Sequence, residues 1–242
     1  MYSLPKEIHQ EIVVWLEPEE QQITRLVSRY FAGLIQPQDV NLLEFGAKRG
    51  LLEYCEIGLS RGNPKKRICA IAAKHGHINI LVWARSQDCP WGPTTCSRAA
   101  KHGHLEVLVW ARSHGCPWNM TTCFYAAENG HLEVLKWARG YLHSPTLNQG
   151  EGINPERNED TICPWNYWTC SAAARNGHLE VLQWAREHGC EWGSTTCMYA
   201  AQYNHLEVLQ WAYSNGCPWN PTNNEISFYS PRIQEYVRSF RW

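Results

Sequence analysis

No apolar stretch in this 242-residue sequence is long enough to cross a bilayer. No basic block followed by an apolar core opens it either: the first residues, MYSLPKEIHQEIVVWLEPEEQQ, break every hydrophobic run with a charge. Neither a membrane span nor a signal peptide is therefore expected. Excess charge is missing as well. Against 22 Lys+Arg stand 23 Asp+Glu, a formal net charge of −1, with no long run of one sign. That balance argues against a nucleic-acid partner and against an anionic membrane. Absent too are G-x-S-x-G, H-E-x-x-H, a P-loop and G-x-G-x-x-G. The expectation is a protein without catalysis, cofactor or metal, working in the cytoplasm or nucleus.

What the chain has in quantity is cysteine and tryptophan, eleven and thirteen residues. An odd cysteine count without a secretory signal argues against a disulfide framework, and the spacing supplies another reason for them. Cys69, Cys96, Cys123, Cys170 and Cys197 recur at intervals of 27, with a single interval of 47. The same intervals govern Cys89, Cys116, Cys163, Cys190 and Cys217, and both tryptophan series, Trp83 to Trp211 and Trp91 to Trp219. One insertion of 20 residues, between Trp137 and Cys163, accounts for the long interval.

The repeated unit reads T-C-x-x-A-A-x-x-G-H-L-E-V-L-x-W-A-R-x-x-G-C-P-W-x-x-T. Cys96, Ala99 and Ala100 fall at i, i+3 and i+4, one face of a helix. Thr94 or Thr95 can cap its start with a hydroxyl, and Gly103 supplies the left-handed residue that ends it. A second helix begins at His104 or Leu105 and stops at Gly115, with Pro117 preventing a restart. Two such short helices cannot bury their apolar faces alone, so the units must stack. The two tryptophans per unit are expected to be the mortar, each removing about 200 Å² from water and contributing roughly 5 kcal/mol gross. Trp110→Ala should then open a core cavity costing about 3–5 kcal/mol.

Each unit also sets Cys and His eight apart, as in Cys96/His104. A zinc site needs four converging ligands, usually with a tight cysteine pair, and no two cysteines here are closer than seven. The cysteines read as core residues and the histidine as a hydrogen bonder at the helix junction.

TTCSRAAKHGHLEVLVWARSHGCPWN resembles the ankyrin consensus T-P-L-H-x-A-A-x-x-G-H-L-E-V-V-x-x-L-L-x-x-G-A-D-V-N. On that match Thr94 takes the Thr, Cys96 the Leu, Cys116 the Ala and Trp118 the Val. The usual ankyrin period is about 33. Here the missing residues fall between Asn119 and Thr121, where the family's β-hairpin finger would be. The abbreviated unit is similar to repeat proteins of giant DNA viruses of amoebae, which would place it in a host cytoplasm. The resemblance implies an all-α solenoid of helix-turn-helix repeats that binds a protein target on its concave face.

Residues 3–35 do not fit the repeat. Leu4-Pro5, Glu7-Ile8, Ile12, Leu16, Pro18, Val27-Ser28-Arg29 and Phe31 resemble an F-box, which docks a Skp-type adaptor and, through it, a cullin. Leu4, Pro5, Ile8, Ile12, Leu16, Val27 and Phe31 are then the adaptor-binding residues. Gln21 and Thr24 stand where that family has leucines, so a plain helical cap is the other reading. The expected organisation is an F-box-like helical module at 1–40, a stack of about six units at 41–223 with an insertion near 142–161, and a C-terminal cap at 224–242. Partner specificity should lie where the units differ: Arg98, Met120, Tyr125, Tyr167, Trp168, Tyr199 and Tyr203. Two functions follow: an adaptor that brings a target to a ubiquitin ligase, or a scaffold that binds its partner without ligase.

Overall fold

A computed structural model of the chain describes residues 41–141 and 162–240. The adaptor-binding candidates and the insertion lie outside the described residues. Within them the regular structure is all helix. Antiparallel pairs follow one another: α1 (Leu42–Arg49) with α2 (Leu52–Ser60), α3 (Ile68–Lys74) with α4 (Ile78–Ser86), and α5 (Pro93–Lys101) with α6 (Leu105–Ser113). Next come α7 (Met120–Glu128) with α8 (Leu132–Ala138), α9 (Tyr167–Arg175) with α10 (Leu179–Glu187), and α11 (Ser194–Gln202) with α12 (Leu206–Ser214). Then α13 (Asn223–Ser227) and α14 (Pro231–Phe240) follow.

Neighbouring first helices pack closely along the stack, whereas the second helices barely meet. The residues explain the difference. The first helices meet through buried Ala, Cys and Thr, such as Thr95, Cys96, Ala99 and Ala100, whose small side chains let backbones approach. The second helices carry larger buried side chains, such as Val107, Leu108 and Val109. A stack pinched on one side must curve, so the first helices line its concave face.

The Gly-His step works between units rather than within one. Gly103 has φ +74°, and a Cβ there would lie 2.8 Å from the His131 ring of the next unit. That ring's Nε2–H donates to the Lys101 carbonyl at 3.1 Å, one of the carbonyls a helix end leaves free. His77, His104, His178 and His205 do the same to Lys48, Lys74, Glu128 and Arg175, at 3.0–3.2 Å. Each histidine thus closes the first helix of the unit before it.

Two expectations need correction. The threonines are not caps. The α5 helix starts from an extended Gly92 with Pro93 in its first turn and no side-chain cap, while Thr95 is buried between units. Where Asn takes the glycine's place it does cap: Asn119 and Asn166 accept from the Thr121 and Trp168 backbone N–H groups at 3.0 and 3.1 Å.

Nor are the tryptophans the core. Of the ten in the two series only Trp137 is buried, and the rest keep part of their surface in water. Among the deepest large side chains are Leu81, Leu108, Leu135, Leu182 and Leu209, one on each second helix from α4 to α12. An indole is too large for the gap between these close-set units, so it lies over the outside. There Trp91 and Trp110 meet edge to face at 6.0 Å, and Trp118 and Trp137 at 5.7 Å. Arg112 lies 4.2 Å over Trp118 while its Nη1–H donates to the Cys116 carbonyl at 2.7 Å. Arg85, Arg139 and Arg186 repeat that contact on Trp91, Trp165 and Trp192. The Trp and Arg side chains of the W-A-R-x-x-G-C-P-W string therefore clad the outside, while its Ala and Cys stay buried.

All eleven cysteines are buried and free. Their thiols face carbonyls: Cys116 donates to Gly92 at 3.5 Å and Cys163 to Asn119 at 3.3 Å. The Cys96/His104 spacing does not converge, because His104 reaches back to Lys74. Burial pushes the Cys55 thiol up to about 11 and the Cys69 thiol up to about 12. Burial also raises Cys89 and Cys123, whereas at Cys96, Cys170 and Cys197 the hydrogen bond with Cys116, Cys190 or Cys217 raises the thiol most and burial adds to it. Cys116 and Cys217 move the other way, lowered by those same bonds. A thiol raised on folding stabilises the fold fully below its unfolded value, near 9, and loses that contribution as pH climbs through the folded value. Ultraviolet titration should show most thiolates appearing only above pH 9 in the folded protein. A thiol reagent should react slowly until the chain is denatured. Prompt reaction of all eleven at neutral pH would contradict this burial.

Candidate functional site

The inner face is built from the first helices, so side chains at equivalent places form columns along it. The column two residues after the first cysteine holds Ile71, Arg98, Tyr125, Ala172 and Tyr199. The column at the helix end runs Lys48, Lys74, Lys101, Glu128, Arg175 and Gln202, followed at the next residue by His75, His102, Asn129, Asn176 and Tyr203.

The proposed binding residues fall into three groups. Arg98 and Tyr125 share a groove of about 560 Å³ with Lys74 and Lys101. Lys101 sits 5.0 Å over the Tyr125 ring and pairs with Glu128 at 3.8 Å. Farther along, Tyr199 and Tyr203 meet at 6.3 Å, with the Arg175 guanidinium 4.9 Å over Tyr203. Tyr203 is 42% exposed. The third group lies at the loop edge, where the first helices begin. Met120, Tyr167 and Trp168 are 48%, 38% and 40% exposed there. Tyr167 and Trp168 lie 5.0 Å apart, and the Asn166 side-chain N–H donates to the Met120 sulfur at 3.5 Å. Ala172 interrupts the column between Tyr125 and Tyr199, so the first two groups stay separate.

Sequence reasoning missed part of the groove. Lys48, Arg67, Lys74 and Lys101 line it together with His75 and His102. Burial, then the charges of Lys74 and nearby histidines, hold His75 and His102 below the ordinary imidazole range. A scan for charge runs cannot find lysines that stand 26 or 27 residues apart. Reading one repeat place down the chain would have.

Residues 96–139 and 170–212 match the family model described as ankyrin repeats in many copies. The stack has the fold of an ankyrin-repeat solenoid. The crystal structure of the human ASB11 ankyrin repeat domain is similar to it, with a TM-score of 0.56 over 86% of this chain and 99% of that one. Identity is 14%, so that likeness concerns the fold. No curated protein matches the chain. The two matched stretches of ankyrin repeat lie on either side of the insertion and cover most of α5–α12. Ankyrin repeats are scaffolds for protein–protein interaction, and their inner face carries the variable groups described above.

Proposed function

We propose that this ankyrin stack captures a target protein on its concave face, through Arg98, Tyr125, Tyr199 and Tyr203, with Met120, Tyr167 and Trp168 contacting it along the loop edge. One observation carries the reading: the aromatic side chains left on the first helices stand at places where the units differ, whereas the tryptophans repeated in the five units from α3 to α12 are spent on stacking. Tyrosine, tryptophan and arginine are the usual anchors of protein interfaces.

Truncating Tyr125, Tyr199 and Tyr203 together to alanine should weaken target binding by about 30-fold or more, since one such anchor contributes about 2 kcal/mol. The melting temperature should stay close to that of the parent. A triple variant that unfolds yet still binds its partner would place these tyrosines in the core and refute the assignment.

The same reading gives residues 1–40 the task of docking a Skp-type adaptor, and with it a cullin, through Leu4, Pro5, Ile8, Ile12, Leu16, Val27 and Phe31. Its support is the Leu-Pro-x-Glu-Ile pattern and the later Val-Ser-Arg. Purified adaptor should bind the whole chain and lose binding on Leu4→Ala with Pro5→Ala. Gln21 and Thr24 favour the second reading, a scaffold that recruits no ligase. An unmodified chain that binds no adaptor would establish that one.

A further inference from the structure

The charge of this protein is near zero in sum but not in distribution. In the groove at the start of the stack, Lys48, Arg67, Lys74, Arg98 and Lys101 converge, with Glu44 the one carboxylate among the lining residues. Glu44 pairs with Lys48 at 3.5 Å. Among the described residues, Arg67, Lys74 and Arg98 have no carboxylate within ion-pair distance. Lys101 is likewise paired, with Glu128 at 3.8 Å; Arg67, Lys74 and Arg98 are left to repel one another, and that cost falls when an anion enters.

We propose that this groove takes an extended acidic segment of the partner protein, whose carboxylates at every third residue meet Lys48, Lys74 and Lys101 in turn. The inference rests on the reading that the inner face captures a protein, and adds the chemistry of what it captures. Stacked helices stand about 8–10 Å apart, which sets the separation of equivalent lysines. Three residues of polyproline-type backbone advance about 9 Å and return a side chain to the same face. The two spacings agree. Arg67 and Arg98 then flank the segment, and Glu128, the next residue of the column, reverses the sign and ends the run. A nucleic acid would also be drawn to positive charge, but its continuous line of phosphates calls for a longer basic track. Here the track stops after three units, and the formal charge of the whole chain is −1.

The test uses the full chain and a fluorescent peptide of Glu-Pro-Ser repeated three times, followed by polarisation at low salt. A peptide of the same composition with its glutamates adjacent serves as the control. The spaced peptide should bind about tenfold more tightly than the control and weaken as salt rises. Lys74→Glu with Arg98→Glu should weaken it by about tenfold or more, and the neutral pair Lys74→Gln with Arg98→Gln by less, with melting unchanged in both. Lys136→Ala on α8, among the second helices, should leave peptide binding as it was. Equal binding of the two peptides, indifference to charge reversal, or tighter binding of a thymidine oligonucleotide would each overturn the acidic-segment assignment. If the peptide fails while the tyrosine triple variant still loses the natural partner, the groove chemistry falls and the concave-face reading stands. If the partner is indifferent to both sets of variants, the reading itself falls.

Discussion

Leu108→Ala is expected to lower the unfolding free energy by about 3–4 kcal/mol in urea denaturation, and Trp110→Ala by only about 1–2 kcal/mol. Leu108 is fully buried in α6, so removing its branched end leaves a cavity that the neighbouring units cannot close. Trp110 is the larger side chain but lies across the outside of the stack. It meets Trp91 edge to face at 6.0 Å and stacks on His114 at 4.2 Å, with part of its surface already in water. Its loss removes two ring contacts and some apolar cover rather than a piece of the core. The order of the two effects is the test. If Trp110→Ala proves the more damaging, the tryptophans hold the units together after all and the leucine column is secondary.

Gly103→Ala should cost about 2–3 kcal/mol, and Gly115→Ala about 1 kcal/mol. Both glycines are left-handed, with φ +74° and +83°, so both substitutions pay the same backbone penalty. Only Gly103 is also in contact with the next unit: its new Cβ would stand 2.8 Å from the His131 ring, against open space at Gly115. To make room the imidazole must move and give up its bond to the Lys101 carbonyl. His131→Ala in the Gly103→Ala background should therefore cost less than His131→Ala alone. Equal destabilisation at the two glycines would mean that the histidine yields freely and the inter-unit closure adds little.

Much of this architecture could be read from the repeat alone. The period assigned every residue an equivalent, the Ala-Ala and Leu-Glu-Val-Leu strings marked two helices, and Gly103 and Gly115 marked where they end. The histidine was legible as a junction residue because it followed that glycine in unit after unit. Depth was not legible. A period says which positions are alike without saying which lie inside, and the large apolar area of Trp110 suggested a core that the small gap between units cannot accommodate. The threonine caps failed for a related reason: the chain enters α5, α7, α9 and α11 from an extended Gly or Asn residue, leaving Thr95 or Thr122 already inside. The aromatic members of the inner face stood out as variable places. Its lysines did not, since Lys48, Lys74 and Lys101 become neighbours only when the units stack.

The claim on which the functional account depends is that the partner lies on the first-helix side. Lysine-directed cross-linking of the partner-bound protein, read by mass spectrometry, tests it most directly. Lys74 and Lys101 face the groove, whereas Lys136 sits on α8, among the second helices. Cross-links to the partner should concentrate at Lys74 and Lys101 and be sparse at Lys136. A partner joined mainly through Lys136, with Lys74 and Lys101 untouched, would put the binding surface on the convex side and contradict the account.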